Sequence, residues 1–251
     1  TKTLNERTLK RIIADSVQKG DIVVEGKGKA TRYSLSAQAQ LTMPLDIDTY
    51  FSDDVDERIV QESFNFKLVC DILPNVTLFT TDEKERLDVA HKAFLANMST
   101  LSDVEYRKEM ERLGVDLSWK SSQIEGNTYS LLETERLLKE KETAQGKTKE
   151  EAVMLLNHKD ALDFILDYPD YLKELTVRRI EDIHSILTKE LGVGSGIRKR
   201  RVGITGTNYR PLDNEFQIRE ALEDTCTLIN GKENVFEKAL LALVLLSYIQ
   251  P

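Results

Sequence analysis

Seven consecutive residues, Ser121-Ser122-Gln123-Ile124-Glu125-Gly126-Asn127, gather hydroxyl, carboxylate and amide groups where helical sequence meets a glycine. Upstream, Ser102-Asp103-Val104-Glu105 reads as a capping box, so a helix runs from there with Gly126 as its stop. Glu125 then falls in the last turn, where backbone carbonyls already carry partial negative charge. A carboxylate there costs roughly 0.3–1 kcal/mol and favours a cationic partner. Two readings of these residues stand side by side: an exposed Glu ahead of a glycine C-cap, or a carboxylate placed to meet a ligand-binding cation. A second position of interest is Gln250, between an apolar helical stretch and Pro251.

Other combinations carry less chemistry. His91, His158 and His184 lie on separate helical patterns without metal-ligand spacing, so each reads as structural and no metal site is expected within these residues. Cys70 and Cys226 are far apart and read as reduced core thiols. Gly192-Val193-Gly194-Ser195-Gly196 superficially resembles a dinucleotide fingerprint but follows a helix, which makes it a helix stop and loop. Trp119 and the apolar stretch 239–246 read as core.

The elements that position these residues are mostly helical. Thr3-Leu4-Asn5-Glu6 reads as a capping box; Leu9, Ile12, Ile13 and Val17 follow at helical spacing, and Gly20 closes the helix. Ile22-Val23-Val24-Glu25 and Thr31-Arg32-Tyr33-Ser34-Leu35 flank Gly26-Lys27-Gly28-Lys29, which predicts a hairpin. Residues 36–51, with Pro44 and little periodicity, read as a linker. Asp53 or Asp54 is expected to cap a helix through Leu73, ended by Pro74-Asn75, and Thr81 opens another to Asn97. Gly114 is a candidate break in the helix that ends at Gly126. Ser130 to Glu133 and Thr148 to Glu151 form two more capping boxes, and helices are expected near 148–167, 177–191, 214–230 and 234–249. Arg201-Val202-Gly203-Ile204-Thr205 is the other β-like piece, turning through Gly206-Thr207-Asn208. The fold class is mainly α.

Ser121-x-x-x-Glu125-Gly126 resembles the inhibitory motif of the Fic family, Ser/Thr-x-x-x-Glu-Gly/Asn. Gly196-Ile197-Arg198 followed by Val202-Gly203-Ile204 is similar to that family's strand-and-flap region, and Ile180-Glu181-Asp182-Ile183-His184 to the helix before it. The stretch 239–249 ending in Gln250-Pro251 is similar to the lead-in to the Fic signature, His-Pro-Phe-x-Asp/Glu-Gly-Asn-Gly/Lys-Arg. These pieces occur in family order over roughly residues 50–251.

The resemblance implies a Fic-like helical bundle with a short β-hairpin flap, binding ATP with Mg and moving AMP onto a protein hydroxyl. It implies that Ser121, Glu125 and Gly126 form an N-terminal inhibitory motif, whose buried glutamate pairs with an arginine that would otherwise hold the γ-phosphate. It implies that Val202, Gly203, Ile204 and Thr205 dock a protein target by strand addition; from the residues alone the same stretch is an ordinary hairpin with a solvated basic flank. Gln250 stands where the family has its catalytic His. A glutamine amide takes no proton near neutral pH, although it can position a hydroxyl by hydrogen bonding. Slow or absent AMP transfer is therefore expected.

Residues 1–35 carry eight Lys or Arg against four Asp or Glu, net +4 on a chain of net −8, which leaves −12 elsewhere. Helix followed by basic-tipped hairpin resembles the closing half of a winged helix. Lys10, Arg11, Lys27 and Lys29 are its candidate DNA contacts; a small appendage with solvated lysines is the other reading. Two further functions are open: a non-catalytic, nucleotide-sensing regulator that binds DNA, and a peptide-binding scaffold. The expected divisions are 1–36 for the winged-helix-like segment, 37–51 for the linker, 52–130 for the helical region ending in the inhibitory motif, and 131–251 for the Fic core, continuing past Pro251. The 40% hydrophobic and 31% charged composition is that of an ordinary globular chain. With no long apolar run and no leader-like segment near Thr1, a cytoplasmic protein without membrane contact is expected, with a homodimer left open.

Overall fold

The computed structural model describes residues 5–194 and 196–251. It is mainly helical, with one two-stranded antiparallel sheet among the described residues. The chain divides into two compact units, one of residues 1–81 with 203–210, the other of 82–202 with 211–251.

The first unit opens with α1 (Glu6–Lys19). Its N-cap is Asn5, whose side chain accepts from the Thr8 amide at 2.8 Å, and Gly20 closes it in the left-handed region. This corrects the expected Thr3 to Glu6 capping box: the cap is Asn5 and Glu6 is the first helical residue, while Thr3 lies outside the described residues. The hairpin forms as expected, β1 (Ile22–Glu25) against β2 (Arg32–Leu35), in register Ile22↔Leu35 to Glu25↔Arg32. Its tip requires Gly26: at φ +79 a Cβ there would lie 2.4 Å from the Ala30 carbonyl oxygen.

Three further expectations about the elements are corrected. Residues 36–51 contain α2 (Ala37–Thr42) and α3 (Ile47–Ser52), capped by Ser36 and Asp46. Six-residue helices have too few turns to show periodicity; Gln38 fixes α2 instead, through paired hydrogen bonds to the backbone of Thr77 at 2.6 and 2.7 Å. The long helix expected from Asp53 to Leu73 is replaced by irregular backbone, a π turn (Leu68–Ile72) and a 3-10 turn (Leu73–Asn75). Arg58 overrides local propensity there, donating to the carbonyls of Phe51, Asp53 and Gly206 and lying over the Tyr50 and Phe51 rings. The strand expected at Arg201 to Thr205 is also absent; those residues run as irregular backbone into a turn at Thr205-Gly206. Backbone pairing begins only at Arg210, whose N–H donates to the Glu62 carbonyl at 2.8 Å beside an isolated parallel bridge to Ser63.

The second unit is built from α4 (Thr81–Ser99), α5 (Asp103–Ile124), α6 (Leu131–Glu140), α7 (Lys149–Asp167), α8 (Val177–Leu187), α9 (Glu215–Gly231) and α10 (Val235–Ile249). The three capping boxes expected in this unit, at Ser102, Ser130 and Thr148, close in both directions. Gly114 does not interrupt α5. Helix α5 packs on α6 and α7, α7 on α8, α8 on α9, and α9 on α10. Val115, Tyr129, Leu137, Leu138, Ala152 and Leu155 form one buried cluster. On α9, Ile218, Ala221, Leu222, Cys226 and Ile229 are buried at helical spacing, as are Leu241, Leu245 and Ile249 on α10. Glu237 is buried too, within reach of Lys84 at 3.6 Å and Lys232 at 3.8 Å. Of the two expected core thiols only Cys226 is buried, and burial pushes its thiol up to about 11; Cys70 is exposed on the π turn. No helix among the described residues is long and apolar enough to cross a membrane.

Candidate functional site

Helix α5 delivers the first group of candidate residues. Its last carbonyls are closed by a tight turn: Glu125 N–H donates to Ser122 O at 3.1 Å, Gly126 N–H to Gln123 O at 3.1 Å and Asn127 N–H to Ser122 O at 2.9 Å. Gly126 sits at φ +89, a backbone angle that explains glycine at this position.

The chain beyond is pinned to the start of α7. Asn127 Nδ2 donates to Glu151 O at 2.8 Å, while its Oδ1 accepts from Tyr129 N–H at 3.0 Å. Thr128 donates to Glu151 Oε1 through its N–H at 2.8 Å and its hydroxyl at 2.5 Å. The other carboxylate oxygen of Glu151 completes the Thr148 capping box. The Thr128 hydroxyl, followed by the Thr148 and Thr128 amides, holds the Glu151 carboxyl at about 2. Ser122 and Ser118 are buried one turn apart on α5, and neither hydroxyl has a hydrogen-bond partner among the described residues.

The Glu125 side chain is 54% exposed, which corrects the expectation of a buried carboxylate. The cation-capable group facing it is His158 rather than an arginine, with Nε2 at 3.9 Å from Oε1. His158 Nδ1 lies 2.9 Å from Met154 O; a carbonyl can only accept, so the proton of the neutral ring sits on Nδ1 and Nε2 presents a lone pair to Glu125. The contact becomes an ion pair only when the ring is protonated. Ile124, Glu125 and Gly126 are all exposed, so α5 ends at the surface.

The second group lies at the end of α10. Gln250 is the C-cap, in the left-handed region at φ 51, with its N–H on Leu246 O at 2.9 Å. Its side-chain amide turns back to donate to Ser247 O at 2.7 Å. Arg198 reaches the same turn: Nε donates to Gln250 O, Nη2 to Leu212 O and to Ile249 O at 3.4 Å, and Nη1 to Arg200 O at 3.0 Å. The basic run around it is largely solvated, with ion pairs at the surface. Lys199 lies 3.6 Å from Glu215, and Arg201 pairs with Asp213 at 2.8 Å. Beside the turn is an apolar groove of about 330 Å³, lined by Ile180, His184, Ile197, Leu222, Leu246 and Pro251 among others. Its walls offer van der Waals contact, not a phosphate cradle.

The remaining candidates stand apart from these two groups. Val202, Gly203 and Thr205 are exposed and Ile204 is half-buried; no backbone hydrogen bond engages 202–205 among the described residues. In the first unit, Lys10 pairs with Glu6 at 2.6 Å, whereas Arg11, Lys27 and Lys29 are exposed. No group of three or more His, Cys, Asp or Glu that could hold a metal ion occurs among the described residues.

Sequence reasoning missed two roles. Glu151 was legible as a capping residue but not as the anchor of Thr128, because its second partner comes from a different helix end. Arg198 was legible as part of a motif, yet nothing in the local sequence points its guanidinium at a helix terminus some fifty residues away. A scan against protein-family models and a search of curated proteins both find no match to this chain.

Proposed function

We propose that this chain is a Fic-type protein that binds ATP with magnesium and transfers AMP to a protein hydroxyl, restrained at Glu125 and slowed by Gln250. One observation carries the reading: Arg198 of the flap-like motif donates to the carbonyl of Gln250, so two motif pieces distant in sequence meet at one helix end.

In the transfer, the hydroxyl oxygen attacks the α-phosphorus, a new P–O bond forms, the α–β bridging bond breaks and pyrophosphate leaves. The hydroxyl proton needs a base. The Gln250 amide can orient the hydroxyl but cannot take the proton, which passes to solvent. General-base help is typically worth about 10²–10⁴-fold. Glu125 would restrain the reaction by pairing with an incoming arginine; its accessible carboxylate at the α5 terminus is suited to that. The unengaged backbone at 202–205 would receive an extended target segment.

The test is labelled-ATP auto-modification with titration calorimetry on wild type, Gln250→His and Glu125→Gly. The expected result is a gain of about 10²-fold or more for Gln250→His and tighter ATP binding or faster turnover for Glu125→Gly. Robust wild-type activity unaffected by Gln250→His, or identical ATP binding with and without Glu125, overturns the reading.

The exposed cations of the head favour a second reading, DNA contact through Arg11, Lys27 and Lys29. Duplex binding should weaken with salt, and replacing Lys27 and Lys29 together should reduce the logarithmic salt slope by about two. No shift of duplex at low salt sinks this reading.

A further inference from the structure

We infer that Arg198 is a positioning residue that holds the last turn of α10 and thereby sets the direction of the residue-250 side chain. The consequence for AMP transfer rests on the function proposed above; the clamp itself does not.

Three observations converge. Gln250 adopts a left-handed backbone at φ 51, ψ 62 without being glycine and immediately before Pro251. That geometry is disfavoured for an L residue, although helix C-caps adopt it, as Lys141 does at the end of α6. The Gln250 N–H already bonds Leu246 O, leaving the last carbonyls of α10 as the groups to be satisfied. Arg198 satisfies them: its guanidinium donates to Ile249 O and Gln250 O, and also to Arg200 O and Leu212 O.

A planar fork with five donors can bridge carbonyls from three chain segments at once, which the point charge of a lysine cannot. A cation at this end also complements the helix dipole. The neighbouring cations are engaged elsewhere, Lys199 with Glu215 and Arg201 with Asp213. Ile197, buried one residue earlier, anchors the segment from which Arg198 reaches.

Two substitutions, Arg198→Lys and Arg198→Met, are read by native-state amide exchange and, in the Gln250→His background, by steady-state AMP transfer. The expected result in both is exchange about tenfold faster or more at the Gln250 amide and its neighbours in the last turn of α10, with the amides of Leu241 and Leu245 unchanged. AMP transfer should show kcat lower by up to about 10²-fold while KM for ATP stays within about twofold. Unchanged exchange at the last turn overturns the clamp. Exchange accelerated uniformly through α9 and α10, with a lowered melting temperature, overturns it in favour of a general structural role. Full rescue by Arg198→Lys overturns the bridging argument. If Gln250→His itself transfers no AMP, the proposed function fails while the exchange measurement still decides the clamp.

Discussion

Glu151 shows how one side chain can join a helix start to a loop distant in sequence. Its carboxylate closes the Thr148 capping box with one oxygen and holds Thr128 with the other, which keeps its carboxyl at about 2 against an ordinary 4.5. A depressed carboxyl stabilises the fold fully above the unfolded value and loses that contribution as pH falls from about 4.5 through about 2. Glu151→Ala should therefore lower the urea midpoint at pH 7, and its gap from wild type should narrow progressively below about pH 5. A gap constant with pH would show that packing, not charge, is what the side chain contributes. The cysteines give a second residue-scale expectation. With its thiol raised to about 11 by burial, Cys226 should resist alkylation at about pH 8 until the protein unfolds, while exposed Cys70 reacts first. Mass spectrometry after brief iodoacetamide treatment distinguishes the two.

Among the elements, α6 tests how far capping carries a short helix. Ten residues are marginal for an isolated helix, and Ser130 with Glu133 satisfies two of the orphan amides at its start. Ser130→Ala should cost about 1 kcal/mol by denaturant unfolding, within the usual range of roughly 0.5–2 kcal/mol. The same reasoning explains why the helices with capping boxes were legible in the sequence with nearly correct starts. Their first turns are specified by residues three apart. The two short helices α2 and α3, and the irregular stretch from Asp53, were not legible. What holds them is the Gln38 amide on Thr77 and the Arg58 guanidinium on three carbonyls, contacts with no local spacing signal.

For the whole molecule, the two faces of α10 make opposite predictions. Leu245 is fully buried, and Leu245→Ala should cost about 2–5 kcal/mol through lost burial and the cavity left behind. Leu243 is 69% exposed, so Leu243→Ala should change stability by no more than about 0.5 kcal/mol. Equal losses at both positions would mean that the outward face of α10 is covered in solution. The stretch 239–246 thus combines core with exposed surface, although its composition alone reads as uniformly buried.

Sequence alone determined the helical class, the three capping boxes, the hairpin at the head and the glycine stop after Glu125, because each is written in residues within a few positions of one another. Tertiary structure alone decided that the Glu125 carboxylate is open and faces His158, that the backbone at 202–205 forms no strand, and that Arg198 closes the end of α10. Those outcomes depend on which distant carbonyl, carboxylate or ring comes within about 3–4 Å of a side chain, the reach of hydrogen bonds and ion pairs. Spacing along the chain does not encode that distance.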